Sequence, residues 1–267
     1  MNTIGFIGVG NMGGTLAKVA GRYAGRENIL VSSRNAEHAA LFASENGFSA
    51  TDNESIARQA HMIFLGVKPH QMKDVLQGIS SILKDRSDDF VLISMAAGLT
   101  TAQIEAFAGC DARVLRIMPN TPSLIGQGTI PYCKGSFALD SDSEKLVALL
   151  ESGGTLVSMD EKLFDAASAV AGCGPAFVYI FIEALADAGV ACGLPRQDAI
   201  KLAAQMTSGS AQMVLQTGKH TGELKDAVCS PGGSTIAGVC ALDENGFRNA
   251  AQKAVKAAYA RNQALGK

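Results

Sequence analysis

Two short glycine-rich stretches hold the residues best suited to chemistry. In GVGNMG (8–13) a β-prone run, TIGFIGV (3–9), ends in glycine, and helical spacing starts near Met12. Gly8 would permit a tight turn, Gly10 would let a diphosphate reach the backbone, and Gly13 would let helix and strand pack closely. Asn11 and Met12 belong to the same loop, where free N–H groups and the positive end of a helix dipole favour a phosphate. In SPGGST (230–235) a Pro, two Gly and three hydroxyl residues interrupt an Ala- and Leu-rich helical region, and Ile236, Val239 and Cys240 resume helical spacing. Gly232 and Gly233 have no side chains to obstruct a small anion, and the N–H groups of Gly233, Ser234 and Thr235 open a helix. The same residues also suit a Ser/Thr helix cap after a proline turn.

The first stretch reads as a dinucleotide loop, and the end of the next strand selects the dinucleotide. An NAD site usually places Asp or Glu about 20 residues on, against the ribose 2′-OH. Here the chain reads VSSRN (31–35), with no acid. Ser33 offers a hydroxyl and Arg34 a planar guanidinium where a 2′-phosphate would lie, so NADPH is expected in preference, with NADH as the alternative. Two further stretches, GVKP (66–69) and RIMPNTP (116–122), fall at the carboxyl ends of strands. Ligands of open α/β sheets collect there, so Val67, Lys68, Pro69, Met118, Pro119 and Asn120 are expected beside the nicotinamide. Lys68 suits a catalytic base or, more mildly, a cofactor contact. Asn120 suits a bond to the carboxamide, a bond to substrate, or a turn cap.

The elements that must position these residues follow from hydrophobic periodicity. Short apolar runs at NILVSS (28–33), HMIFLGV (61–67), DFVLISM (89–95) and ARVLRIM (112–118) alternate with helical patterns such as QMKDVLQGISSIL. Strands alternating with helices imply parallel pairing with right-handed crossovers. TIPYC (129–133) and TLVSM (155–159) read as further strands around the helix DSEKLVALLES. After Met159 only helical patterns remain: 161–171, 175–192, 196–217, 222–228 and two more beyond SPGGST. The expectation is an α/β fold with an N-terminal Rossmann-type doubly wound sheet (1–160), then an all-helical C-terminal domain (161–267).

Composition narrows the partners. With 23 Lys and Arg against 25 Asp and Glu, no Trp and 6% aromatics, a nucleic-acid surface is not expected. The six cysteines show no CxxC pair and the four histidines no HExxH, so neither a disulfide framework nor a metal site is expected. The N-terminus lacks the pattern of a signal peptide, which makes the cytoplasm the expected compartment. The most apolar window, 176–194, is broken by Glu183, Asp187 and Gly189, and reads as a helix buried on most sides rather than a membrane span. Such a helical half is expected to join a second copy, giving a homo-oligomer.

GFIGVGNMG, LGVKPHQ, RIMPNTP, GCGPAFVY, EALADAGVACGLP and above all LKDAVCSPGGSTIAG resemble pyrroline-5-carboxylate reductase, essentially end to end. The resemblance implies reduction of 1-pyrroline-5-carboxylate to L-proline with NADPH or NADH, the last step of proline synthesis. It also implies dimers, assembled in some cases into rings, joined through the helical domain. By the same resemblance Asn53 lies near the adenosine, SPGGST holds the substrate carboxylate, and the Thr235 hydroxyl meets the ring nitrogen. Ala227 departs from members that carry Asn there. Two rivals are a β-hydroxyacid dehydrogenase and an NADP-binding regulator without turnover. The first needs a general base, commonly a Lys opening the second domain, and SAVAGCGPAFVYIF has no Lys, His or Asp. The second would be expected to carry a damaged SPGGST.

Overall fold

The computed structural model describes residues 3–265. Its first part alternates strand and helix: β1 (Ile4–Ile7), α1 (Asn11–Ala24), β2 (Ile29–Ser32), α2 (Ala36–Asn46), β3 (Ser49–Ala50), α3 (Asn53–Gln59), β4 (Met62–Leu65), α4 (Met72–Asp85), β5 (Val91–Ser94), α5 (Thr101–Ala108) and β6 (Arg113–Ile117). Then come β7 (Gly128–Lys134), α6 (Asp140–Leu150) and β8 (Gly154–Ser158). The eight strands lie in one sheet in the order β3-β2-β1-β4-β5-β6-β7-β8. The chain builds outward from β1 to β3, then returns to β4 on the other side of β1. That reversal opens a crevice at the carboxyl ends of β1 and β4.

All pairings are parallel except β6 with β7, which is antiparallel. The connection from β6 to β7 contains only a 3-10 turn, Thr121–Ile125, and lacks the crossover helix that a parallel pair needs. This reversal and the two-residue β3 are the features of the sheet that periodicity did not reveal. The central strands are buried on both faces, as their unbroken apolar runs require. One apolar cluster includes Leu16, Val31, Phe64 and Leu146, and the other Ile56, Leu76, Leu92 and Ile104. Phe6 and Phe64 stack across β1 and β4 with ring centroids 4.5 Å apart.

The remaining elements are helical: α7 (Phe164–Ala167), continued by a π-wound turn at Ser168–Gly172, then α8 (Gly174–Ala191), α9 (Arg196–Thr217), α10 (Thr221–Ala227), α11 (Ser234–Glu244) and α12 (Phe247–Leu265). By packing, the chain divides into two compact units, Met1–Cys173 with Ala258–Lys267, and Gly174–Ala257. By contacts, the first unit runs on through α7 to Cys173, past the expected boundary after residue 160. An ion-pair cluster ties this segment to the sheet: the Arg116 guanidinium, buried in β6, meets Glu161 at 3.2 Å and Asp165 at 3.8 Å, and lies 4.7 Å from the Phe164 ring centre. Glu161 in turn accepts from the Thr101 N–H at 2.8 Å and hydroxyl at 2.9 Å, at the start of α5.

The second unit has little core of its own. Ala186, Ala199 and Ala203 are buried, whereas Val178, Tyr179, Ile180, Ile200, Leu202, Met206 and Met213 are exposed. Helix α8 was expected to be buried on most sides; in the single chain it is not. The run Glu161–Ala191 is apolar and long enough to cross a membrane by composition, with mean hydropathy 1.7. Its exposed apolar surface is of the kind that marks an interaction face.

Candidate active site

The dinucleotide loop sits at the crevice. Gly8 has φ +98°, a conformation that favours glycine, and its N–H donates to the Ser32 carbonyl at 2.9 Å. A Cβ on Gly13 or on Gly66 would strike the Gly8 carbonyl oxygen, so the first turn of α1 packs directly on the loop and on the end of β4. Gly66 N–H donates to the Ile7 carbonyl at 2.8 Å, which joins the GVGNMG and GVKP turns side by side. Gly10 differs: a Cβ there would meet nothing within 4 Å. It is the N-cap of α1 and has no side chain to fill the cap, so the helix N-terminus stays open toward that space. Packing constrains Gly8 and Gly13, while Gly10 leaves room for a diphosphate. The loop thus fits a dinucleotide.

Beyond β2 lies a cleft of about 670 Å³ lined by Ser32, Ser33, Ala36, Ala39, Ala50, Thr51, Asp52, Asn53 and Glu54. Ser33 and Asn53 both line it. Ser32, buried at the last position of β2, donates its hydroxyl to Asn53 Oδ1 at 2.6 Å and so orients the amide. Sequence reasoning passed over that partner, although its place at the strand end was legible. Asp52 caps α3 by accepting from the Ser55 N–H at 2.6 Å, and this bond holds its carboxyl below the usual carboxylate range. Arg34 is exposed, does not line the cleft, and has no hydrogen-bond or ion-pair partner among the described residues.

At the other strand ends, Lys68 is exposed and Val67 and Pro69 are half-buried. Met118 N–H donates to the Pro131 carbonyl at 3.0 Å across the β6–β7 pair. Asn120 is 7% exposed, and both ends of its amide are engaged: Oδ1 accepts from the Thr129 N–H and Nδ2 donates to the Ala171 carbonyl, each at 3.0 Å. Only one N–H of that side chain remains for a ligand, which weakens the expected contact with substrate or carboxamide. Cys133, behind the sheet end, has its thiol pushed up to about 12, first by burial and then by Glu161, so it stays protonated and unreactive at neutral pH.

The SPGGST loop adopts a tight turn. Gly232 has φ +69°, and Gly233 N–H donates to the Ser230 carbonyl at 3.0 Å. That bond corrects one expectation: the Gly233 N–H is already occupied by the turn. The open amides are those of Ser234 and Thr235, at the first positions of α11. The cap of α11 is Gly233 itself, without a side-chain bond, so neither Ser234 nor Thr235 serves as the cap. Both are exposed, and a Cβ at Gly232 would meet nothing within 4 Å.

A family model described as NADP oxidoreductase, coenzyme F420-dependent, matches residues 3–98, and one described as pyrroline-5-carboxylate reductase dimerisation matches residues 161–265. The chain is 40% identical to the pyrroline-5-carboxylate reductase of Pisum sativum over 98% of its own length and 96% of that protein's. The chain belongs to the pyrroline-5-carboxylate reductase family. The Escherichia coli pyrroline-5-carboxylate reductase is 38% identical, with 99% and 98% of the two chains covered. Among solved structures, the Plasmodium falciparum pyrroline carboxylate reductase, which has NADP bound, superposes with a TM-score of 0.89 at 33% identity, covering 100% of this chain and 98% of that one. An Aquifex aeolicus prephenate dehydrogenase matches at a TM-score of 0.54 and 15% identity, which speaks for the fold alone. The residues matched by the dimerisation model include the apolar helices that stand bare in the single chain.

Proposed function

We propose that this chain is an NAD(P)H-dependent reductase that converts 1-pyrroline-5-carboxylate to L-proline, the last step of proline synthesis. The observation that carries the reading is end-to-end similarity to pyrroline-5-carboxylate reductases, at 40% identity for the pea enzyme, together with an intact SPGGST turn. The substrate is small, with one carboxylate and one ring C=N. The Ser234 and Thr235 amides, backed by the side-chain-free Gly232 and Gly233, suit that carboxylate, aided by the N-terminal end of the α11 dipole. The Thr235 hydroxyl has no hydrogen-bond partner among the described residues and hydrogen-bonds the ring nitrogen as its charge changes, relaying the proton that the nitrogen gains when hydride reaches the carbon.

The dinucleotide, when bound, supplies the hydride that adds to the imine carbon. Gly8, Gly10, Asn11, Met12 and Gly13 form its diphosphate cradle, and Asn53, oriented by Ser32, holds the adenosine ribose. Ser33 and the free Arg34 favour a 2′-phosphate, which supports NADPH as the preferred donor with NADH as the slower one. Val67, Lys68, Pro69, Met118 and Pro119 flank the nicotinamide side, and Lys68 acts there as a contact rather than a base. Imine reduction needs distance, orientation and a water-poor surrounding more than a general base. The absence of Lys, His and Asp from SAVAGCGPAFVYIF agrees with this and disfavours the hydroxyacid reading.

The working form is a dimer joined through the helical region, alone or in a ring of dimers, and it acts in the cytoplasm, where its six unpaired cysteines stay reduced. The test is purified protein mixed with the cyclic imine and NADPH. Oxidation of NADPH with stoichiometric formation of proline is expected. No NADPH oxidation above the imine-free control would overturn the proposal and favour a cofactor-binding regulator.

A further inference from the structure

We infer that Asn120 is a positioning residue for hydride transfer: its amide ties the π-wound turn Ser168–Gly172 to the loop leaving β6, and so sets the backbone of Met118 and Pro119. This rests on the reductase reading above. The side chain is 7% exposed and bonds two backbone groups far apart in sequence, Thr129 N–H and Ala171 C=O, each at 3.0 Å. A buried amide spent in this way acts on the shape of the chain rather than on a ligand.

The need for the tie comes from Pro175. In an α-helix the Ala171 carbonyl would accept from residue 175, and proline has no N–H to give. The turn is instead wound wider, with the Cys173 N–H reaching the Ser168 carbonyl at 3.0 Å. Such π turns mark functional sites more often than plain helix. Asn120 Nδ2 supplies the donor that the helix lacks at Ala171. One residue on, a Cβ built at Gly172 would lie 3.8 Å from Met118 Cγ, so the Met118 side chain faces the turn. Releasing Ala171 frees the turn to shift relative to Met118. The other end of the segment is held separately, by Arg116 with Glu161 and Asp165.

The experiment is Asn120→Asp, which keeps the acceptor for Thr129 and sets an oxygen against the Ala171 carbonyl. Single-turnover oxidation of NADPH by saturating cyclic imine, with 4-deuterated NADPH in parallel, reads hydride transfer directly. A fall of about tenfold to a hundredfold in rate, with an undiminished isotope effect and NADPH affinity held within about twofold, is expected from a small loss of alignment. Asn120→Ser, which removes both contacts without adding charge, should show the same loss and serves if the aspartate variant does not fold. An unchanged rate per folded enzyme would overturn the inference, since a purely structural tie lowers melting temperature and yield alone. A large loss of NADPH or imine affinity would also overturn it, in favour of direct contact. The parent enzyme runs in the same assay: its failure to turn over sinks the reductase reading, whereas normal parent and normal variants sink only the positioning role.

Discussion

Thr235 sits at the second position of α11 with its hydroxyl free and its N–H unpaired by the helix. Thr235→Ala should leave carboxylate binding to the backbone and remove one donor aimed at the changing charge on nitrogen. The expected loss in kcat/KM is about 10²–10³ at most, read by steady-state kinetics, with little change in melting temperature. Full activity in that variant would remove Thr235 from the chemistry. Arg34, proposed to meet the 2′-phosphate, is tested at the other end of the cofactor. Arg34→Asp should invert the preference from NADPH toward NADH, because a carboxylate repels the 2′-phosphate and accepts from a ribose hydroxyl. The ratio of kcat/KM values for the two donors checks it, and an unchanged ratio contradicts it. At this scale the close packing of Gly8 and Gly13 was legible, since glycine at a fixed offset carries its own steric meaning. The hydrogen bonds of Asn120 and the Gly233 amide were not, because both donate to carbonyls of distant or neighbouring turns that no spacing rule specifies.

Among elements, β6 carries the least expected feature. RVLRI places Arg116 inside an apolar strand, and the structure keeps its side chain 4% exposed between Glu161, Asp165 and Phe164. Glu161→Ala leaves Arg116 with the more distant Asp165 and strips the Thr101 N–H and hydroxyl of their charged acceptor. It should therefore destabilise the first unit by about 1–3 kcal/mol, measured by urea unfolding. A change near zero would mean that the cluster is dispensable. The strand–helix alternation was readable throughout because apolar runs of strand length and amphipathic helices differ in period. The antiparallel β7 escaped the reading: its strand pattern resembles its neighbours, and only the missing crossover helix betrays its direction. The boundary near residue 160 followed the end of alternation, whereas packing follows the charges of Arg116, Glu161 and Asp165 past that point.

For the whole molecule, the helical half exposes Tyr179, Ile180, Leu202 and Met213 in a single chain, a surface that water would not tolerate bare. Light scattering at micromolar concentration should therefore give at least a dimer, and melting temperature should rise with protein concentration. A monomer with concentration-independent melting would contradict the assembly. The same surface shows why the expected burial of α8 and the expected second copy belong together. Apolar content reports burial, but not whether the covering surface belongs to the same chain.

A crystal soaked with L-proline and the oxidised dinucleotide would test the proposed division of labour between the two glycine-rich turns most directly. The proline carboxylate should accept from the Ser234 and Thr235 amides, with the ring nitrogen within hydrogen-bond reach of the Thr235 hydroxyl. Proline bound away from residues 234–235, with that turn vacant, would contradict the account.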